Sequence, residues 1–245
     1  ILAPSEYLKP IQANLLSIPY PNDKQIILGY PCHDVLYNLK SGDLGKVTEH
    51  TFKKVVLWMP TFRKSKIDNR NDSSIEYTMG IPIVNDIGEY EKLNSILNSL
   101  ETLLIIKIHP MQDLEQFKIY SHTNIIVIDG NKVKELNIDN YRLMVDADAM
   151  ISDYSSSGTD FLHTGRPIAY TLDDLTEYRL GFIVENPKDL MPGMKIYCFN
   201  DLIDFFELLN NGTDEYYNQR KLILNRMFTF HDGNSCSRLA EHIGL

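Results

Sequence analysis

Cysteine is scarce. Cys32, Cys198 and Cys236 are the only three in 245 residues, and they stand far apart. That number and spacing exclude a disulfide framework and a paired-cysteine metal site, and they fit a reducing compartment. Long hydrophobic runs are also missing. The longest, such as Leu103 to Ile108, fall far short of the ~20 residues that a membrane-spanning helix needs. Positive charge is in the minority: 24 Lys and Arg face 33 Asp and Glu, for a net charge of −9. This excludes a general nucleic-acid binder, which needs a basic face. It leaves room for an anionic ligand, because a local site can be positive on an acidic protein. There is no G-x-G-x-x-G, no Walker A sequence and no H-E-x-x-H. Ser156 lacks the preceding glycine of a nucleophile elbow. No protein-only metal cage is visible, and nothing calls for a cofactor. No charged-then-apolar signal segment opens the chain, and Ile1 is not an initiator, so we expect a piece of something longer or a processed form. The sequons Asn71-Asp-Ser73 and Asn211-Gly-Thr213 are read as chance matches.

What is present is a 43% hydrophobic chain, enough for a sizeable core. Short apolar runs alternate with helix-period segments. Strands are expected at Gln25 to Leu28, Lys54 to Met59, Leu103 to Ile108, Ile125 to Ile128, Ala149 to Ile151 and Pro167 to Tyr170. The run before His109 is apolar throughout, as in a parallel strand buried on both faces. Glu89 to Leu100 sets Tyr90, Leu93, Ile96, Leu97 and Leu100 on one helical face. Further helices are expected at Leu114 to Tyr120, Asn140 to Val145, Gly158 to Thr164 and along the tail from Leu202, with a start at Thr213-Asp-Glu. Lys64 to Ser74 carries no period and reads as a loop. The alternation predicts an α/β fold, a Rossmann-like doubly wound parallel sheet. Residues 1–22, with four prolines, read as a connector or edge segment, and 23–245 as one domain with a helical C-terminal tail.

Ligands of such sheets sit beyond the carboxyl ends of the strands. That rule brings Arg63, His109 and Ser152 to Ser157 to one crevice. Three successive serines and a glycine open a helix, where hydroxyls and unpaired N–H groups can hold phosphate oxygens. Asp160, one turn on, can reach a ribose hydroxyl. Ser157-x-x-Asp160 also fits a capping box, and the two readings are compatible. His109 is held at a strand mouth by Pro110, with an imidazole suited to proton transfer or to charge on a phosphate. Lys107 points to the same side. The Arg63 guanidinium matches two phosphate oxygens at once, although an exposed loop arginine is an equally good reading. Lys64 and Lys66 are assigned to the loop.

Together these segments resemble the CDP-glycerol glycerophosphotransferase family, which builds teichoic-acid-type polymers. The resemblance is carried in family order by Gly29-Tyr-Pro-Cys-His-Asp34, Leu57-Trp-Met-Pro-Thr-Phe-Arg63, Ile106-Lys-Ile-His-Pro110, Asp148-Ala-Met-Ile-Ser-Asp-Tyr-Ser-Ser156, Asp160-Phe161 and Arg166-Pro167. Asp174 with Tyr178, Gly181-Phe182, Pro192-Gly193 and Asp232-Gly with Arg238 continue it. It implies the donor-nucleotide half of a GT-B fold, a CDP-linked donor and a polymer or lipid-linked acceptor met through an N-terminal domain. It also implies a cytoplasmic setting at the inner face of the membrane with peripheral association, although no basic amphipathic helix is evident here. The family's base is a histidine in a His-Gly motif of the first domain. No His-Gly pair occurs here, so an isolated copy of this chain is expected to bind donor and catalyse poorly. By resemblance His109 is the catalytic residue and, with Arg63, serves the pyrophosphate. Ser155, Ser156 and Ser157 serve phosphate or polyol oxygens, and Asp160 the ribose. One departure stands out: Cys32 and His33 replace the family's Arg and Asn. A phosphoribitol or nucleotide-sugar donor, or a non-catalytic nucleotide-binding scaffold, remain as alternatives.

Overall fold

The computed structural model describes residues 1–65, 71–115 and 117–245. Six strands pair in parallel: β1 (Lys54–Trp58), β2 (Thr102–Lys107), β3 (Ile125–Ile128), β4 (Ala149–Ser152), β5 (Ile168–Thr171) and β6 (Met194–Ile196), in the order β3-β2-β1-β4-β5-β6. In register, Leu57 lies between Ile105 and Met150. This is the Rossmann order, in which the sequence direction of strands reverses between β1 and β4.

Strand side chains alternate between two faces, and each face has its own core. On one, Val56, Trp58, Leu104, Ile106 and Ile151 pack with helices α4 (Ile87–Ser99) and α8 (Phe199–Asn210). On the other, Val55, Leu57, Leu103, Ile105, Met150 and Ile168 pack with α6 (Asn140–Asp146), α7 (Ser156–Phe161) and α9 (Tyr217–Met227). Residues 1–22 contain a helix, α1 (Lys9–Leu15), whose Ala13 is buried, and Thr229 N–H donates to the Pro4 carbonyl at 2.9 Å. Two short helices, α2 (Asp34–Asn38) and α3 (Leu44–Val47), precede β1. Among the described residues no helix is long and apolar enough to cross a membrane.

Three expectations change, and two elements are added. Gln25 to Leu28 is not a sheet strand. Only Ile26 pairs, with Leu2 in an isolated bridge, and of these four residues only Gln25 is buried. Leu114 to Tyr120 is not helical at its described residues. Phe117 and Ile119, two positions apart, both turn toward the core, which is the spacing of extended chain. The helix after β4 starts earlier, at Ser156, and a 3-10 turn (Leu162–Thr164) carries it to Gly165. Strand β6 and helix α5 (Gly130–Glu135) were not foreseen, since three and six residues are too few to show a period. Of the loop from Lys64 to Ser74, Lys66 lies outside the described residues. Its flanks are fastened, Lys64 to Asn71 and Ser73 to Tyr178.

The early Gly29 to Asp34 motif meets the end of the chain. Both Asp34 carboxylate oxygens accept backbone N–H groups, from Ser235 at 2.9 Å and Cys236 at 2.8 Å, at the start of α10 (Ser235–Ile243). Burial opposes its ionisation, but these bonds outweigh it and hold the carboxyl below its usual value. Arg238 Nε donates to the Leu28 carbonyl at 2.8 Å. Gly29 has φ +80°, and a Cβ there would stand 2.3 Å from Ser235 Oγ, so the junction needs glycine.

Candidate functional site

The switch point between β1 and β4 is built by two loops, Met59 to Arg63 and Asp153 to Ser155. Asp153 ties them. Its Oδ2 accepts Thr61 N–H at 2.8 Å, and its Oδ1 accepts Thr61 Oγ1 at 2.6 Å and Ser155 N–H at 2.9 Å. The structure sends Arg63 to this carboxylate and not out into the crevice. Arg63 is 5% exposed. Nη1 donates to Asp153 at 2.7 Å and to the Thr61 carbonyl at 2.6 Å, while Nε and Nη2 hold both oxygens of Asp174 at 2.7 and 3.0 Å. Ser73 and Tyr154 hydroxyls add to Asp174, and the guanidinium lies 4.8 Å from the centre of the Tyr154 ring. Burial disfavours the arginine's charge, but Asp153 and Asp174 outweigh it and hold its pKa well above the ordinary value. Arg63 is therefore not an exposed loop arginine: it stands buried behind the serine loop, held between two carboxylates. Sequence reasoning missed Asp153 and gave Asp174 no role, although both lie in segments that carry the family resemblance.

The serine loop turns into α7 with Ser155 as its N-cap, its Oγ accepting from Ser157 N–H at 3.3 Å and Ser157 Oγ at 2.9 Å. The expected cap at Ser157 with Asp160 as its partner does not form, because the cap sits two residues earlier. Gly158 lets the helix press onto the sheet: a Cβ there would be 3.0 Å from Ser152 Oγ and 3.2 Å from Tyr170. Ser156 is left exposed.

A cavity of about 530 Å³ opens beyond the carboxyl ends of β1, β2 and β4. Lys107, His109, Ser155, Ser156, Ser157 and Asp160 line it together, with Tyr141 and Asp139 opposite. His109 is exposed, its Nδ1 accepts from Met111 N–H at 3.1 Å, and its ring lies 4.8 Å from that of Phe62. Lys107 is 4% exposed, and burial pushes its ammonium pKa down while Asp139 opposes this. The five expected residues other than Arg63 therefore share one cavity. Arg63 instead edges a smaller one of about 110 Å³ on the far side of His109. A third, of about 540 Å³ and largely apolar, lies across the serine loop and includes Tyr30, Tyr178, Phe182 and Phe228.

Beneath Asp160 lies a histidine pair that sequence reasoning did not assemble. The His33 and His163 rings meet at a tilt of 42° with centroids 4.1 Å apart, and His163 Nδ1 meets Tyr37 Oη at 2.7 Å. Burial first, then His33 and His231, push His163 down to about 3, against a usual 6.5. Between those two values the unfolded chain binds a proton that the folded chain refuses. Stability contributed by neutral His163 is therefore full above pH 6.5 and falls on acidification, by up to ~1.4 kcal/mol per pH unit. Urea unfolding between pH 7 and 5 is expected to show a shallower pH slope for His163→Phe than for the wild type. Equal slopes would refute the assignment.

The family described as CDP-Glycerol:Poly(glycerophosphate) glycerophosphotransferase matches residues 1–245. Among curated relatives, the teichoic acid glycerol-phosphate transferase of Staphylococcus aureus is 24% identical over 99% of this chain and 59% of its own length. The teichoic acid glycerol-phosphate primase of Bacillus subtilis is 27% identical over 90% of this chain and 51% of its own. The chain thus spans about half the length of these relatives. Among solved structures, the wall teichoic acid polymerase TagF superposes with a TM-score of 0.68 at 20% identity, covering 99% of this chain and 57% of that one. At that identity the likeness speaks for the fold.

Proposed function

The chain belongs to the CDP-glycerol:poly(glycerophosphate) glycerophosphotransferase family, and from that premise we propose that it is the donor-binding half of a transferase. The whole enzyme moves phosphoglycerol from CDP-glycerol to a polymer hydroxyl in teichoic-acid-type synthesis. The acceptor oxygen attacks the distal phosphorus in line. The bond to the bridging oxygen breaks, and CMP leaves with its electron pair. The acceptor's proton goes to a base that the family resemblance assigns to the other domain.

In this reading His109 carries charge developing on the diphosphate. The hydroxyls of Ser155, Ser156 and Ser157 meet phosphate or polyol oxygens, and Asp160 meets the ribose. Lys107 adds positive potential at the cavity floor. Arg63 acts one step back, by holding Asp153 and through it the Ser155 backbone. Phosphoryl transfer depends mostly on positioning and charge stabilisation, and a clamped loop supplies positioning. The observation that carries the reading is the convergence of His109, the three serines and Asp160 on one switch-point cavity.

Calorimetric titration with CDP-glycerol, CDP, CDP-ribitol and UDP tests it. Binding of CDP-glycerol and CDP, with UDP weaker, is the expected result. Absence of heat with every nucleotide would overturn it in favour of a scaffold. Preference for CDP-ribitol would change the transferred group and leave the site in place.

A further inference from the structure

Asp160 does not choose its own orientation. His33 Nε2 lies 2.9 Å from Oδ1, and Tyr141 Oη donates to Oδ2 at 3.2 Å. His33 reaches it from 127 positions earlier in the chain, out of the turn Pro31–His33. It is 3% exposed. Its ring is boxed by Tyr30 at 5.5 Å, Phe228 at 5.2 Å and His163 at 4.1 Å. A carboxylate can only accept, so the proton between His33 and Asp160 sits on Nε2. Nδ1 is buried and has no partner among the described residues. An N–H there would be desolvated with no acceptor, which favours leaving Nδ1 bare. The neighbouring His163 is kept neutral, so it adds no second cation to compete for the carboxylate. A carboxylate has about four lone-pair positions. His33 and Tyr141 occupy two, and the others are left for the cavity, where the side chain remains 22% exposed.

We propose that His33 is a positioning residue for Asp160, aiming its remaining lone pairs at a pair of vicinal ribose hydroxyls and so setting the preference for ribonucleotides over deoxyribonucleotides. The inference rests on the reading above that Asp160 meets the ribose. Asparagine also offers an N–H donor, on a shorter side chain.

Two measurements test it. The first needs no ligand. Nitrogen-15 spectra of the imidazoles are expected to show His33 as the Nε2–H tautomer, with a shift that moves in Asp160→Asn. An Nδ1–H tautomer, or a signal indifferent to Asp160→Asn, would overturn the proposal. The second compares dissociation constants for CDP and 2′-deoxy-CDP. The wild type is expected to favour CDP by roughly tenfold, the worth of one hydrogen bond to a charged group. His33→Phe, which fills the space without donating, is expected to bring the ratio near one, and His33→Asn to restore part of it. His33→Leu, which likewise cannot donate, serves as a second variant should the Phe form not fold, with the same expected loss of preference. An unchanged ratio in a folded His33→Phe would refute the role. If the wild type bound neither nucleotide, the functional reading would fail, while the tautomer measurement would still decide whether His33 positions Asp160.

Discussion

Arg63→Ala will unfold at much lower urea than the wild type, a loss of about 3–5 kcal/mol, because removing one partner of a buried ion cluster leaves uncompensated charge behind. Here two carboxylates are stranded, since Asp153 and Asp174 are 1% and 0% exposed. Asp153 keeps its bonds from Thr61 and Ser155, and Asp174 those from Ser73 and Tyr154. None of these is a cation. Arg63→Lys should recover only part of the loss. An ammonium is a point charge and cannot span Asp174 with two parallel N–H groups while also reaching Asp153. The experiment also separates two roles for this arginine. A direct phosphate ligand would lose donor affinity with little change in stability, since substitutions at exposed ligand positions usually shift stability by no more than about 0.5 kcal/mol. A clamp behind the serine loop loses stability first. An Arg63→Ala protein with a wild-type urea midpoint would refute the clamp.

His109→Ala will show the opposite pattern. The side chain is exposed, so the urea midpoint should move much less than in Arg63→Ala. On the proposed transferase reading, turnover of the whole enzyme, followed as CMP release from CDP-glycerol, is expected to fall roughly a hundredfold or more, the usual loss when a positioned acid–base or charge-stabilising group is removed. The donor dissociation constant should rise much less, because charge builds on the phosphorus oxygens mainly in the transition state. Near-wild-type turnover and donor affinity would remove His109 from the mechanism.

Much of this fold is legible in the chain because it is written in local signals. β1, β2, β3, β4 and β5 are apolar runs bounded by turn residues, and α4 carries its buried Tyr90, Leu93 and Leu97 at helical spacing. Short or ambiguous local signals do not decide the element. Gln25 to Leu28 has strand composition but no neighbour in the sheet, and Phe117 and Ile119 keep the spacing of extended chain in a segment whose composition suits a helix. The serine loop is visible in the sequence as a cluster of hydroxyls, but its N-cap lies two residues before the Ser157 that the capping-box pattern favours. Several adjacent serines can each cap a helix, and only backbone geometry selects Ser155.

The parallel α/β class, the family and five of the six residues expected at the crevice are legible along the chain, since strand ends and loop motifs lie close together in it. What the charged groups do there depends on partners that only the folded chain brings close. Arg63 finds Asp153 and Asp174 from 90 and 111 positions away, Asp160 finds His33 from 127, and Asp34 finds the start of α10 from 201. A local period fixes which face a side chain takes. It cannot say which distant carboxylate will stand opposite, and in a buried site that partner determines whether a cation is left for a ligand or spent on holding the loop.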